Sequence, residues 1–398
     1  MSPKTHDRIG RIVTILAKLW ALALLAKVLG IVLVLNVRGY DSWPSDFTVL
    51  WTVAELGLEG RAVEAFDDST IGHVWEKAGY GEGDVFWLYP PTTLLFFLPF
   101  GAMPFSMAIA LYTLGTILLL AWSMRGVAAQ LPGGVMMILA SPAVPLAANL
   151  GNTSLLVAAA FAAAAAGLRN GDDRQTGLSV ASLVIKPQFG VIFPLALAAL
   201  GRWRAFAWAA AGTVTLTVIA TLVVEPGYWP AFIDKIVSHG TTEEHWIYLS
   251  ASPFTALRIA GVGSSEALIA HGIIALTMLG LTIWTLFKKG PTASAVALLI
   301  LTAMLIIPRT HYYDHVVTLV AFAYLWQAGA WRTVLGKTVL AVLWLSPASV
   351  IPGLFDNGAT VVMGWVAFAG AVYALWLAWE PAIAGAQDRP LTSPAPSD

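Results

Sequence analysis

The chain has 398 residues, of which 58% are hydrophobic and 11% charged, and its formal net charge is −1 at pH 7. A soluble globular domain carries about 25% charged residues, so the composition excludes one. The aromatic content of 11% excludes a disordered chain, and the near-neutral charge excludes nucleic acid as a partner. Since there is no cysteine, disulfides, thiolate catalysis and cysteine-ligated metals are excluded as well. Long apolar runs recur along the chain, which predicts an all-α, multi-spanning integral membrane protein.

The first apolar segment runs from Ile12 to Asn36 and follows Lys4, Arg8 and Arg11. It is too long for a signal peptide and lacks a small-residue cleavage site, so we interpret it as a retained anchor. The basic flank predicts a cytoplasmic N-terminus.

A polar stretch, residues 37–90, follows this anchor and forms the first predicted outer loop. Further apolar runs are centred near residues 98, 115, 142, 160, 188, 215, 277, 299, 322, 344 and 370. Together with the anchor they predict about twelve crossings in one transmembrane domain, residues 1–383, with a disordered tail at 384–398. The run from Thr92 to Met103 is short for a span of about 20 residues, which indicates a broken or shielded helix.

Alternating these crossings from a cytoplasmic start gives a charge map that can be tested. The cytoplasmic loops then hold six cations: Arg202, Arg204, Lys288, Lys289, Arg332 and Lys337. These cations agree with the positive-inside rule and predict that the C-terminus is cytoplasmic too. Arg125, Arg169 and Arg174 fall on the outer side and disagree with the rule. The tight hairpin at Gly151 leaves a re-entrant pair as an alternative.

Both large outer loops, 37–90 and 224–265, contain apolar residues at helical spacing. These residues are Leu50, Val53, Ala54 and Leu56 in the first loop and Phe232, Ile233, Ile236 and Val237 in the second. The spacing predicts amphipathic helices on the membrane surface.

Ionisable residues inside or against a membrane are costly and therefore indicate function. Asp46, in Ser45-Asp46-Phe47, lies shortly after the first crossing. A catalytic carboxylate and a helix N-cap are equally compatible with this position, and Ser45 is also suited to capping.

Lys186 lies within an apolar run, directly before Pro187 and Gln188. Proline leaves a carbonyl of the preceding turn without its donor, so a helix break is expected here. A cation beside such a break suits a phosphate ligand. The alternatives are a lysine that snorkels to the surface or pairs with a buried acid.

The segment Pro308–His315 combines Arg309, His311, Tyr312, Tyr313, Asp314 and His315. Arg309 offers a planar fork of donors to a phosphate. The histidines, four residues apart, would share a face in a helix, but no third metal ligand has a recognised spacing, so no metal is predicted. An aromatic belt at the membrane interface is the alternative, although it does not predict Arg309 and Asp314 at this density.

Trp87-Leu88-Tyr89-Pro90-Pro91 ends the first outer loop. Trp87 and Tyr89 suit either headgroup anchoring or a flat platform for a sugar ring.

In this order and spacing, the motifs resemble glycosyltransferase family 87, the polyprenol-phosphate-mannose-dependent mannosyltransferases of the multi-spanning GT-C superfamily. The motifs are Ser45-Asp46-Phe47, Tyr89-Pro90-Pro91, Leu150-Gly151-Asn152-Thr153-Ser154, Ile185-Lys186-Pro187 and Pro308–Asp314. The family hairpin usually reads Gly-Gln-x-Asn, so this chain departs from the family pattern at Gly151–Ser154.

The resemblance implies a GT-C-type helical bundle and a polyprenyl-phosphate sugar donor, with no cofactor and no nucleotide sugar. It also implies that Asp46 is the general base, and that Lys186, Arg309 and His311 hold the donor phosphate. Trp87, Tyr89, Gln188, Tyr312, Tyr313, Asp314 and His315 are then expected to contact substrate. The acceptor would be a lipid-linked or envelope glycan, and the active site would face the periplasm from the inner membrane.

Two other classes of function remain open on the sequence. A secondary transporter would also use broken spans and buried charge, although the chain shows no paired broken helices in matching halves. A non-catalytic assembly subunit for envelope polysaccharide would tolerate alanine at Asp46 and Lys186.

Overall fold

A computed structural model describes residues 2–38, 45–77, 87–239, 250–347 and 358–380. Every regular element among these residues is helical, which confirms the predicted all-α class; Ser250 and His311 form one isolated antiparallel bridge. The α-helices are α1 (Pro3–Arg38), α2 (Asp46–Leu58), α3 (Asp68–Lys77), α4 (Pro91–Gly101), α5 (Phe105–Ala128), α6 (Val135–Leu139), α7 (Ala143–Leu150), α8 (Ser154–Asn170), α9 (Asp173–Ser182), α10 (Phe193–Ala199), α11 (Trp203–Val223), α12 (Tyr228–His239), α13 (Pro253–Ile259), α14 (Ser264–Lys289), α15 (Ala293–Leu305), α16 (Thr318–Gln327), α17 (Val334–Leu345) and α18 (Gly358–Trp379). Short 3-10 helices cover Ala62–Phe66, Leu183–Ile185, Pro187–Phe189, Tyr312–Val317 and Ala330–Arg332. The predicted tail at 384–398 lies outside the described residues.

Five of these helices are long and apolar enough to cross a membrane. The stretches are Pro3–Ile31, Phe105–Ala128, Trp203–Val223, Ser264–Lys289 and Val361–Trp379. Much of their apolar surface faces outward, since only 6% of the most apolar window of α11 is buried. The protein core lies around the shorter α15, in which every residue is buried. The alanine-rich α8 is also mostly buried, as expected where small residues let helices approach closely.

The apolar run around residue 188, predicted as a crossing, begins and ends at the same end of the bundle. Asp173 at the start of α9 pairs with Arg202, which follows α10, at 2.6 Å between Oδ1 and Nε. In addition, Gly177 lies against Ala205 and Gly212 lies against Ala181, so α9 and α11 run in the same direction. The chain therefore rises along α9, turns at Lys186 and returns along α10 as a re-entrant pair.

The run from Thr92 to Met103 also fails to reach the opposite end. Its helix, α4, has 11 residues and a length of about 16 Å, against about 30 Å of hydrocarbon. The next helix begins at Phe105, whose ring packs on Phe47 and Trp51 of α2 at centroid distances of 5.7 and 5.3 Å. The chain thus enters and leaves α4 on the side where α2 lies. The structure supports a crossing at neither residue 98 nor residue 188.

This path changes the side assigned to the three arginines that disagreed with the charge map. Arg169, at the end of α8, donates to Pro291 O at 2.9 Å, two residues after Lys289. We call this end of the bundle, which carries Arg169, Arg202, Lys288 and Lys289, the basic end. Arg174 lies in the first turn of α9 and Arg125 near the end of α5, so both belong to the basic end rather than to the opposite face.

The predicted surface helices of the two outer loops differ from each other. Most of α2 is packed inside the protein: Phe47, Leu50 and Val53 are all buried against neighbouring helices. Helix α12 buries Phe232 while exposing Ile233 and Val237, as expected of an amphipathic helix. Its location on a membrane surface stays a prediction.

Candidate active site

One cavity, with a volume of about 600 Å³, opens at the end opposite the basic end. This volume is typical of small-molecule sites. Nine of the eleven predicted site residues line it: Asp46, Tyr89, Lys186, Gln188, Arg309, His311, Tyr312, Tyr313 and Asp314. They come from four separate parts of the sequence, which only the folded chain brings together.

Asp46 is the first residue of α2, and the N-cap position before it is occupied by Ser45. A negative charge is favourable at this helix end, where the backbone N–H groups carry partial positive charge. The Asp46 side chain is half-buried, and the amide of Asn152 donates to its Oδ2 at 3.3 Å. The carboxylate is therefore oriented from a second element and faces the cavity.

Lys186 lies in the turn between two 3-10 helices, with a non-helical backbone (φ −140°, ψ 74°). Because Pro187 has no N–H, the backbone of the turn needs other donors. The hydroxyls of Thr92 and Thr93, at the start of α4, donate to Val184 O at 2.8 Å and to Ile185 O at 2.5 Å. Helix α4 thereby stabilises the break that directs Lys186 to the cavity.

Lys186 forms a buried ion pair with Asp314. Its ammonium lies 2.6 and 2.8 Å from the two carboxylate oxygens, and the side chains are 7% and 2% exposed. Ser154 donates a third hydrogen bond to Asp314 Oδ1 at 2.7 Å. The ammonium also lies 5.3 Å from the ring centroid of Tyr313. The sequence left two alternatives to a phosphate ligand, a lysine that snorkels and a lysine that pairs with a buried acid. The structure shows the pairing. One N–H of the ammonium group remains for a ligand.

The loop before α16 carries the other polar groups of the cavity. Its backbone is fixed where Ala251 N donates to Thr310 O at 2.5 Å, beside the bridge between Ser250 and His311. Arg309 is half-buried, with its guanidinium carbon 6.0 Å from the ring centroid of Phe254. The cavity is thus lined by two cationic side chains and two carboxylates.

Three tyrosines contribute phenol groups to the cavity wall. Burial raises the pKa of Tyr312 to about 12, and the nearby Asp46 carboxylate adds to this effect. The same causes raise the pKa of Tyr89 and Tyr313 above the usual range. All three therefore stay protonated at neutral pH and can donate hydrogen bonds to a sugar or stack against it.

Trp87 and His315 do not line the cavity. Trp87 is buried and donates to the Tyr228 hydroxyl at 2.6 Å, which in turn donates to Tyr89 O at 3.0 Å. His315 is fully buried with Nε2 3.1 Å from Ala251 O, and burial lowers its pKa. Because the segment Tyr312–Val317 is a 3-10 helix, in which residues three apart align, His311 and His315 do not share a face.

No three His, Asp or Glu side chains come close enough to hold a metal ion in the part of the chain that the structure describes.

Several residues that line or support the cavity were missed in the sequence. Thr92 and Thr93 directly follow the Pro90-Pro91 motif, which indicated only how the chain enters the next helix. Trp75 and Phe254 form part of the apolar wall, yet neither belongs to a recognisable motif. The only available signal was position, since Trp75 lies in the first outer loop and Phe254 in the second.

The family model described as Glycosyltransferase family 87 matches residues 87–308, which is more than half of the chain. The matched range includes Tyr89, the Gly151 hairpin and Lys186, and it ends immediately before Arg309. Neither a curated protein nor a solved structure matches the chain.

Proposed function

Because the chain belongs to glycosyltransferase family 87 and is thus a membrane glycosyltransferase, we propose that it transfers mannose from a polyprenyl-phosphate donor. The acceptor is a lipid-linked or envelope glycan, and transfer takes place at the periplasmic face of the inner membrane. Family membership favours this reaction over the transporter and the assembly subunit. A single observation carries the mechanism: Asp46, Lys186 and Arg309 line one cavity.

Asp46 acts as the general base. The hydroxyl of a sugar acceptor is a poor nucleophile until its proton is drawn off, and a carboxylate within hydrogen-bond distance does this in the transition state. As the acceptor oxygen bonds to the anomeric carbon, its proton passes to Asp46. The bond from that carbon to the phosphate oxygen breaks, and the polyprenyl phosphate leaves with the electron pair. A single displacement inverts the anomeric centre, so a β-linked donor gives an α-linked product.

Cationic side chains, rather than a metal, stabilise the leaving phosphate in this proposal. Arg309 presents a planar set of donors that matches phosphate oxygens. Lys186 has a smaller role than the sequence indicated, because Asp314 already neutralises it and one N–H remains. His311 lines the same wall and supplies a further donor.

The rest of the cavity suits a lipid-linked sugar. Leu88, Phe232, Ile236 and Phe254 provide apolar surface beside the phosphate donors, which favours the first isoprene units. Tyr89, Tyr312 and Tyr313 offer aromatic faces and hydroxyls to the sugar rings.

Asp46→Asn in purified protein tests the proposed function. With polyprenyl-phosphate mannose and a glycan acceptor, we expect the transfer rate to fall by about 10²–10⁴-fold, since the general base is removed. Asp234→Asn is the matched control, because Asp234 is an exposed acid on α12 that does not line the cavity. Product is quantified by mass spectrometry. Transfer by Asp46→Asn at the rate of the control would contradict the role of Asp46.

A further inference from the structure

The hairpin between α7 and α8 touches both carboxylates of the cavity. Asn152 donates to Asp46 Oδ2 at 3.3 Å, and Ser154 donates to Asp314 Oδ1 at 2.7 Å. Asn152 and Ser154 are almost completely buried, with exposures of 1% and 0%. Two residues apart in one hairpin, they reach the proposed base and the acid that holds Lys186.

The hairpin itself is held rigidly. Asn152 Oδ1 accepts from the backbone N–H of Ser154 at 3.0 Å, and the Asn152 carbonyl accepts from the Tyr112 hydroxyl at 2.7 Å. Because its oxygen is engaged in this way, the amide nitrogen of Asn152 is the atom presented to Asp46. On the other side, Lys27 of α1 donates to Asn149 O at 3.0 Å and to Asn149 Oδ1 at 2.5 Å.

We propose that Asn152 and Ser154 are positioning residues with separate tasks: Asn152 orients Asp46 toward the acceptor, and Ser154 fixes the Asp314–Lys186 pair beside the donor phosphate. This inference rests on the proposed function and deepens it. The hairpin then sets the distance between the Asp46 carboxylate, which removes the proton, and the Lys186 ammonium, which faces the donor phosphate.

The two tasks have different kinetic consequences. An N–H donor stabilises the ionised carboxylate, so its loss raises the pKa of Asp46 and shifts the acidic limb of the pH–rate profile to higher pH. Losing a hydrogen bond to a charged group shifts the midpoint of the limb by about one pH unit. At pH values below the limb, kcat/KM then falls about tenfold. Losing the Ser154 hydroxyl loosens Lys186 instead, so it raises the KM for the donor and leaves the limb in place.

Other groups with charges or titrating protons surround Asp46 on the neighbouring elements. They are Tyr89 and Tyr112, Lys186, and the loop residues Arg309, His311, Tyr312, Tyr313 and Asp314. Of these, Asp314 and His311 are the groups whose ordinary pKa values lie below neutral. Asp314 is held by Lys186 and Ser154, so the Ser154→Ala variant tests its contribution to the limb. His311→Gln removes the limb if it belongs to that histidine, and this result would overturn the inference.

The experiment compares pH profiles of kcat/KM for Asn152→Ala, Asn152→Asp and Ser154→Ala, using purified protein and polyprenyl-phosphate mannose. We expect Asn152→Ala to shift the limb upward by about one unit, and the isosteric Asn152→Asp to shift it further because it adds a like charge. We expect Ser154→Ala to raise the donor KM severalfold without moving the limb.

Thr282→Val is the matched control, since it removes a buried 2.8 Å hydrogen bond to Thr302 away from the cavity. We expect it to lower thermal stability while leaving the limb and the donor KM unchanged. If Asn152→Ala and Ser154→Ala alter both parameters alike, or if neither Asn152 variant moves the limb, the positioning roles are wrong. Such results leave the proposed function standing if Asp46→Asn is inactive, whereas an active Asp46→Asn would contradict that function.

Discussion

The buried pair of Lys186 and Asp314 bears on both the stability of the fold and the proposed reaction. The ammonium and the carboxylate are almost fully buried, and each oxygen of Asp314 accepts a hydrogen bond from the lysine. Charges at such depth persist only when they are paired. The partner carboxylate also limits how strongly the lysine attracts a phosphate.

At the residue scale, we predict that Lys186→Gln and Asp314→Asn are each destabilising by about 3–5 kcal/mol, because each leaves one buried charge without its partner. The double variant restores most of the free energy of unfolding, since both charges are gone, but does not restore transfer. Unfolding in detergent and transfer assays on the same samples measure the two effects.

The matched control is Asp173→Asn, which breaks the partly exposed pair with Arg202 at the basic end. The side chains of this pair are 20% and 27% exposed, against 7% and 2% at Lys186 and Asp314, so water screens the charge left behind and the loss of unfolding free energy is expected to be smaller. Equal losses of unfolding free energy in Asp173→Asn and Lys186→Gln would contradict the argument that burial makes the Lys186–Asp314 pair costly to break.

Elements rather than single residues determine the shape of the cavity. The re-entrant pair α9–α10 brings Lys186 to the cavity because the hydroxyls of Thr92 and Thr93 satisfy the carbonyls of its break. The hairpin before α8 approaches α2 so closely that Gly151 lies against Phe47. Neighbouring elements therefore hold each irregular segment in place.

At the element scale, we predict that Gly151→Ala strongly impairs folding or activity. Gly151 has φ +71°, and an added Cβ would lie 2.6 Å from Phe47 Cβ, next to Asp46. Gly171→Ala is a matched control with φ +74° and open space around the new Cβ. Gly171→Ala lowers the free energy of unfolding by about 1–2 kcal/mol, because alanine is disfavoured in a left-handed backbone. Gly151→Ala lowers it further, because the new Cβ also overlaps Phe47. Equal melting temperatures for the two variants would contradict the close contact.

On the scale of the whole molecule, α4 and the α9–α10 pair each begin and end at the same end of the bundle. This path brings the positions of the arginines into agreement with the positive-inside rule. Because α4 and the α9–α10 pair do not cross, Arg125, Arg169 and Arg174 lie at the same end as Lys288 and Lys289. Removing two crossings, an even number, does not change the direction in which the helices after residue 200 run. Their ends therefore lie on the sides that the sequence predicts. The positive-inside rule then predicts that the basic end faces the cytoplasm.

We predict that cysteines placed at Arg125, Asn170 and Lys289 are all protected from a membrane-impermeant maleimide in intact cells. A cysteine at Asp234, on α12 at the cavity end, is expected to be labelled. The native chain has no cysteine, so each single-cysteine variant reports on one position. Labelling of positions 125 and 170 but not 289 would favour twelve crossings and contradict the path described here.

The sequence was sufficient for the class of protein and for the charged residues that line the cavity. Membrane insertion depends on the apolar content of local segments, so composition and hydropathy determine it directly. Asp46, Lys186 and Arg309 were recognisable because a charge is costly near a membrane wherever its partners lie. The order of the motifs was enough to indicate the family, which the match over residues 87–308 confirms.

Only the tertiary structure decided which apolar runs turn back and which side chains face the cavity. An apolar run crosses or returns according to whether distant groups, such as the hydroxyls of Thr92 and Thr93, satisfy its broken backbone. Asp314 pairs with Lys186 across 128 positions of sequence, while Trp87 and His315 turn into the protein to reach their own partners. Such choices depend on contacts between residues far apart in the chain, and spacing along the sequence does not encode them.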